Sequence, residues 1–427
     1  MEPRSALIIG AGIAGITSAV ELARNGISVH LVDRQATMGG QVARFGCKAT
    51  ESCSKCSACV LTEKIAELRD APSVRFHPCS RVKQIRRDGE GFRVSILQEP
   101  QPVALDRCIA CGLCAQECPE QCITPTLLRA FPYGYLIDQQ RCRNYSGQQC
   151  RRCAEVCPTK AISFDRSHRL FEIQVAAIVV ATGFEPFNPR NKPQYGYGRF
   201  PNVVTALEVE EELSRKGRVE KPSDGQVPQD IAFIQCVGSR DPQLGNGYCS
   251  QVCCAYAVRI ARLLKYRSPQ TNIAIHYMDI QKFGKGFDQF YAQWKEEIRF
   301  IRGLPAEVSE VADGRLALVY EDMERGKITR GEYDLVILSV GITPSEGSRE
   351  LAEVLNIKTN EFGFYSGSEL DPIETDVKGI FVAGCCRGPT DIGGSIAQAK
   401  AASTKVLAFM DLNVENTQKR EGNEEWN

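Results

Sequence analysis

Apolar and polar positions fall along this chain in blocks that spell strand, turn and helix. Residues 6–9, Ala-Leu-Ile-Ile, are a short unbroken apolar run, the pattern of a strand covered on both faces. Glycines at 10, 12 and 15 follow as a turn. Residues 16–25 then carry a helical pattern and 29–32 a second apolar strand, so 6–33 read as one βαβ unit. Further strands are predicted at 171–175, 178–180, 231–235, 335–340 and 380–382. Helices are predicted at 255–264 and from about 394 to 410. The tail, 413–427, is polar and is expected to be disordered. Alternating strands and helices place the chain in the α/β class, with two dinucleotide-binding, Rossmann-like domains.

The first turn carries specific chemistry. Gly10 and Gly12 permit a tight turn and close approach of a pyrophosphate, and Gly15 lets the helix pack on the strand. The helix N-terminus then faces the phosphates. Asp33 ends the second strand, where a carboxylate accepts hydrogen bonds from ribose hydroxyls. The bland alternative is a glycine-rich turn in an empty unit. The strand, the helix and Asp33 together favour a bound dinucleotide.

Composition narrows the partners. The chain has 427 residues, more than one domain's worth. Lys plus Arg and Asp plus Glu both number 52. No basic excess exists to neutralise phosphates, so nucleic acid is not an expected partner. No apolar run reaches the roughly 18 residues of a transmembrane segment. Met1 leads directly into the first strand without a signal peptide. A cytoplasmic, soluble chain is expected, and its 20 cysteines are then expected as metal ligands or redox groups, not structural disulfides.

Most of those cysteines are spaced. Cys108, Cys111, Cys114 and Cys118-Pro119 have the C-x2-C-x2-C-x3-C-P spacing of a bacterial-type ferredoxin that holds [4Fe–4S] clusters. Cys142, Cys150, Cys153 and Cys157-Pro158 form a second run with a longer first gap. In two-cluster ferredoxins the fourth cysteine of each run serves the other cluster. One cluster is therefore expected on Cys108, Cys111, Cys114 and Cys157, the other on Cys142, Cys150, Cys153 and Cys118. A zinc ribbon is the competing reading. Cys47, Cys53, Cys56 and Cys59 form a third group that suits a cluster, tetrahedral zinc or a redox-active thiol set.

The fourth group lies in the second dinucleotide-like domain. Its first strand runs into Cys236-Val237-Gly238-Ser239-Arg240 with no GxGxxG, and Cys249, Cys253 and Cys254 arrive before the next helix. Thiols stand where a nicotinamide cofactor needs glycines. Spacing alone leaves a metal site and buried structural cysteines equally open. Cys79 and Cys122 read as ordinary buried residues. Cys385 reads either as a flavin contact or as a space-filler. His30, His77, His168 and His276 show no ligand spacing. The glycine-rich basic loop 282–286 reads first as a solvated turn, and second as a flavin or substrate contact.

The chain resembles the flavin- and iron–sulfur-containing A-type subunit of heterodisulfide reductases, including bacterial homologues. Shared elements are Gly10-x-Gly12-x-x-Gly15, Gly39-Gly40, the double ferredoxin unit with its long second spacing, and Cys236-Val237-Gly238-Ser239-Arg240-Asp241 with Cys249-x3-Cys253-Cys254. Phe283-Gly284-Lys285-Gly286 and Ala383-Gly384-Cys385 with Gly388-Pro389-x-Asp391-Ile392 complete the match. Ala181-Thr182-Gly183 further resembles a turn of two-dinucleotide-domain flavoproteins. The resemblance implies a thioredoxin-reductase-type fold and FAD held by Gly10, Gly12, Gly15, Asp33, Gly39, Gly40, Gly183, Gly384, Cys385, Asp391 and Ile392. It also implies a [4Fe–4S] cluster on Cys236, Cys249, Cys253 and Cys254, bringing the total to four.

The expected layout is an FAD domain at 1–102, 166–227 and 346–412, interrupted by a ferredoxin-like insert at 103–165. A second dinucleotide-like domain at 228–345 and the tail at 413–427 complete it. The resemblance implies an electron-transfer oxidoreductase working with other subunits and with ferredoxin or another redox protein. Flavin-based bifurcation or confurcation would be its extended role. Against the long archaeal form the chain is expected to lack an N-terminal domain and a C-terminal ferredoxin extension, and its Cys47 group is richer. The alternative is an NAD(P)H oxidoreductase resembling the small subunit of glutamate synthase, which needs a second GxGxxG. A third reading is a non-catalytic iron–sulfur scaffold without FAD.

Overall fold

The computed structural model describes residues 4–424, apart from 282–285, 312 and 369. The first unit is built around Ser5–Ile9, whose five residues are all buried. It pairs in parallel with Ser28–Val32 on one side and Ala177–Val180 on the other. Val74–His77 and Ile380–Val382 complete a five-stranded sheet as its edges. Period-two alternation splits the central strand between two cores. Ala6 and Ile8 face the helices Ile13–Arg24, Val60–Arg69 and Ile392–Glu424. Leu7 and Ile9 face an antiparallel meander, Ser80–Asp88, Gly91–Gln98 and Arg169–Val175, and the helix Ser348–Leu355.

Residues 103–165 leave and rejoin the chain between the last two meander strands. They have a core of their own, in which Val103, Leu105, Ile123 and Ile137 surround Cys114, Cys122, Cys142 and Cys153. One two-stranded ladder, Ile123–Pro125 with Tyr135–Ile137, and two single-turn helices, Leu113–Gln116 and Arg152–Glu155, make up its regular structure. A bridge between Met38 and Phe131 docks it on the first unit.

The second unit repeats the plan. Asp230–Val237 pairs in parallel with Asn272–Tyr277 and Leu335–Val340, with Arg299–Arg302 and Val203–Thr205 at the edges. Pro305–Glu310, Leu316–Asp322 and Lys327–Tyr333 form its antiparallel meander. The boundary expected at 228 is too late. Val203–Thr205 pairs with Leu335–Val340, and the helix Ala206–Lys216 packs Val209 and Leu213 into the second core. Phe187 and Tyr195 join that unit too. A three-residue strand paired across about 130 residues leaves no local trace in sequence, which is why the pattern of residues does not mark the true boundary. The units join where Phe184–Pro186 pairs antiparallel with Ile342–Pro344.

The expected disordered tail is also corrected in its backbone. The last helix runs from Ile392 to Glu424, past the predicted stop near residue 410. Glu, Lys, Arg and Gln beyond Asn413 are good helix formers, and polarity alone does not end a helix. Among the described residues no helix is long and apolar enough to cross a membrane.

Candidate functional site

The first glycine turn is held by backbone contacts that exclude side chains. A Cβ on Gly15 would stand 1.8 Å from the Gly10 carbonyl oxygen, and one on Gly10 would stand 2.3 Å from that of Ala181. A Cβ on Gly12 would meet nothing within 4 Å. So Gly10 and Gly15 close the turn, and Gly12 opens onto free space at the start of the helix Ile13–Arg24. Gly39 and Gly40 strap this turn from above: the Gly39 N–H donates to Ala11 O at 2.8 Å, and Gly40 lies against Gly12 with φ +54°. Asp33 accepts from the Ala11 N–H at 2.5 Å and the Gln35 N–H at 2.7 Å. Burial raises its pKa, and those two N–H groups pull the other way. A carboxylate offers about four lone-pair sites, so two remain for hydroxyl donors.

A cavity of about 1460 Å³ opens from this turn. Gly10, Gly12, Asp33, Gly40, Gly183, Cys385, Asp391 and Ile392 line it. It exceeds the 300–1,000 Å³ usual for small-molecule pockets, as an extended dinucleotide requires. Asp391 caps the long helix through the Gly394 N–H at 2.7 Å, so that helix begins on the cavity wall. Gly384 packs against Ala14 with φ +80° and does not line the cavity. Burial pushes the Cys385 thiol up to about 11, and its sulfur contacts Thr390 O at 3.2 Å, so it meets the cavity as a neutral thiol. Of the loop 282–286, residues 282–285 lie outside the described residues, and Gly286 is on the wall.

Cys53 and Cys56 stand on the wall of this same cavity, whereas Cys47 and Cys59 are exposed beside it. Burial alone would raise the Cys56 thiol. The Ala58 N–H, Lys48, Ser54 and Arg259 together bring it below its ordinary value. The fourth group is also brought together. Cys253, with Cys254 at the start of the helix Cys253–Arg267, feels Cys236, Cys254 and Cys249, and burial followed by these neighbours holds its thiol well above the usual range. In the insert, Cys114 neighbours Cys108 and Cys111. Burial, then Cys142, Cys118 and Cys150, push Cys153 up to about 11. Cys118 of the first run thus sits with three cysteines of the second. Cys157 contacts Thr159, Ala161 and Ile162.

All twenty cysteines are free of disulfides. Among the described residues no three His, Cys, Asp or Glu side chains converge to hold one metal ion. The backbone around them is nonetheless unusual. Of ten described non-glycine residues with positive φ, eight fall beside these cysteines: Lys55, Ser57, Ala110, Gln121, Lys160, Cys236, Arg240 and Gln251. Such residues turn successive N–H groups toward one point, forming nests that suit anions and iron–sulfur sites. Backbone N–H groups already reach sulfur, among them Lys55 to Cys53 at 3.4 Å, Gln251 to Cys249 at 3.3 Å, and Ala161 to Cys157 at 3.3 Å.

Sequence reasoning missed the groups that hold the Cys47–Cys59 loop. Lys48 pairs with Glu210 at 2.6 Å, with side chains only 5% and 7% exposed. Arg259 donates to Ser54 O at 3.1 Å, and Arg262 reaches Thr50 and Ser52. Two arginines three apart on an otherwise apolar helix face were the available signal. The helix that opens with Cys253 and Cys254 therefore grips the loop carrying Cys53 and Cys56. Cys122, expected as a plain core residue, lies 3.5 Å from Cys118, sulfur to sulfur.

The chain is 36% identical to the A-type subunit of the H2:CoB-CoM heterodisulfide,ferredoxin reductase of Methanothermobacter thermautotrophicus, covering 95% of this chain and 64% of that protein. It is 38% identical to an A-type iron-sulfur subunit of the CoB–CoM heterodisulfide reductase of Methanopyrus kandleri, with the same two coverages. The chain thus spans a little under two thirds of the length of these relatives. Among solved structures, thioredoxin reductase of Lactococcus lactis superposes with a TM-score of 0.52 at 17% identity, over 95% of this chain and 98% of that one. Thioredoxin reductase of T. acidophilum gives 0.50 at 15% identity, over 96% and 99%. These likenesses support the mixed α/β dinucleotide-binding fold. A family model described as pyridine nucleotide-disulphide oxidoreductase matches residues 4–405, so the chain belongs to that family of oxidoreductases.

Proposed function

We propose that this chain is the FAD- and iron–sulfur-dependent electron-transfer subunit of a heterodisulfide-reductase-like complex, working in the cytoplasm with other subunits and ferredoxin. One observation carries the reading: the glycine cradle of the first unit and the thiols of Cys53 and Cys56 share one cavity. FAD supplies exchange between two-electron and one-electron partners when bound. Gly12 would leave room for its pyrophosphate, Asp33 would accept hydrogen bonds from its ribose hydroxyls, and the start of the last helix would form the far wall. Four cysteine quartets would hold four [4Fe–4S] clusters: Cys47, Cys53, Cys56 and Cys59; Cys108, Cys111, Cys114 and Cys157; Cys118, Cys142, Cys150 and Cys153; Cys236, Cys249, Cys253 and Cys254. The left-handed backbone and the N–H···S contacts beside them support this assignment.

The second unit argues against direct use of NAD(P)H. A nicotinamide nucleotide seats its pyrophosphate on N–H groups at a glycine turn. Here that turn is 15 residues long and carries buried thiols into the helix start. The test is anaerobic: the purified chain is expected to contain one FAD and about sixteen irons. Dithionite is expected to bleach its flavin and NADH or NADPH to leave it unchanged. Rapid bleaching by a nicotinamide with no other protein present would overturn the reading in favour of a self-contained oxidoreductase.

A further inference from the structure

The sulfur of Cys122 lies 3.5 Å from that of Cys118, and the same side chain contacts Cys142. Cys142 and Cys153 share its buried core. Cys122 thus lies against Cys118 and Cys142, while Cys142, Cys118 and Cys150 neighbour Cys153, so this part of residues 103–165 holds one thiol more than the four a cluster takes.

The backbone fixes this pair of sulfurs without help from a metal. Residues 118–122 close as a tight turn, in which the Gln121 N–H donates to Cys118 O at 3.1 Å and Gln121 takes φ +48°. Arg141 donates to Glu120 O at 2.9 Å, and Arg143 pairs with the Glu120 carboxylate. Cys122 then enters a strand: its carbonyl accepts from the Asp138 N–H at 2.8 Å, and Ile123 pairs with Ile137. The turn anchors one sulfur and the ladder anchors the other. A change of one staggered rotamer is the motion a cysteine needs to redirect its sulfur.

We propose that Cys122 is a reserve ligand for the cluster held by Cys118, Cys142, Cys150 and Cys153. The proposal rests on the iron–sulfur reading above. A cluster takes four protein ligands, so one of the two sulfurs would ligate and the other would remain a thiol within reach of it at 3.5 Å. If the Cys118 sulfur left the cluster it would take up a proton, and Cys122 would give one up to solvent as its sulfur took the vacated place, with no electron moved. A donor to a ligand sulfur favours the more negative, reduced cluster, so Cys122 also sets the potential.

The experiment counts iron and records the reduced-state electron paramagnetic resonance spectrum of full-length variants purified anaerobically. Cys118→Ala is expected to keep the iron of the unsubstituted chain, with a changed spectrum. The double variant Cys118→Ala with Cys122→Ala is expected to lose about four irons. Cys111→Ala supplies the reference for a lost ligand. If Cys118→Ala alone loses as much iron as the double variant, the proposal is overturned. Cys122→Ala keeps every proposed ligand and decides the matter if the other variants do not fold. Its full iron content with a lower midpoint potential for one cluster supports the proposal, and an unchanged set of potentials overturns it. An unsubstituted chain without iron in residues 103–165 would instead sink the underlying iron–sulfur reading, which separates the two failures.

Discussion

Ser5–Ile9 and Asp230–Val237 hold the same place in their sheets. Each lies between the next strand of its βαβ unit and a strand supplied much later, and each unit carries a three-stranded meander. The two differ in the step from strand to helix. In the first unit three residues, 10–12, make that step, and in the second fifteen residues, 238–252, do. The short step is sealed by close backbone contact at Gly10 and Gly15. The long one carries Gly238, Arg240 and Gln251 in left-handed conformations and delivers Cys249 to Cys253 and Cys254. Sheet and helix therefore set the scaffold, and the length and residue types of one turn decide whether it offers N–H groups or thiols.

The sharpest way to break this contrast is at Gly12. Gly12→Val would place a branched side chain in the free space of the cradle without the backbone clash that Gly15→Val would cause. A folded protein with essentially no bound flavin is expected, read from absorbance per chain; full flavin content would place the cofactor elsewhere. The matching cut in the second unit is Cys253→Ser. A loss of about four irons is expected, with flavin retained and no nicotinamide activity gained. Iron analysis and anaerobic NADH titration check both halves, and unchanged iron would remove that quartet from the ligand assignment.

The contact between the units gives a smaller effect. Glu210→Gln strands the buried Lys48 ammonium and is expected to cost roughly 3–5 kcal/mol in denaturant unfolding. A change below about 1 kcal/mol would mean that Lys48 finds water or another partner. The smallest effect separates two histidines on equivalent strands. His276 is fully buried, between Gly303 O and Tyr333 Oη, and burial lowers its pKa to about 4. His30 is only half-buried and stacks on His77. A folded pKa below the unfolded value means that the unfolded chain protonates first. The contribution of His276 to stability is thus complete above about pH 6.5 and is lost as pH falls toward 4. Between pH 7.5 and 5 the stability gap between the unsubstituted chain and His276→Asn is expected to narrow by about 2 kcal/mol. A gap independent of pH would show that His276 binds its proton equally well in the folded and unfolded chains.

What can be read in advance follows range of interaction. The βαβ unit at 6–33 is legible because apolar period, glycine spacing and Asp33 all lie within one local stretch. The missing second glycine motif is legible for the same reason. Val203–Thr205 is not, since its strand character comes from pairing with Leu335–Val340. Lys48 with Glu210, and Arg262 with Ser52, join segments far apart in the chain and carry no spacing rule. Cys122 escapes notice because the ferredoxin spacing is complete without it. Its nearness to Cys118 comes from the Gln121 turn and the strand after it.

Residues 103–165 enter from Gly91–Gln98 and return into Arg169–Val175, two antiparallel neighbours in which Gln98 faces Arg169. The host sheet thus holds both ends of the insert as it would hold the ends of a hairpin loop. Ordering a long excursion between fixed neighbours costs only slowly more entropy as it lengthens. The excursion is interchangeable in principle: a short turn in its place leaves every strand of the meander its partner. Surface sites of this kind are where chains accept whole foreign domains. The two ends of the excursion are thus held by one strand pair of the host, and not by contacts within the excursion itself.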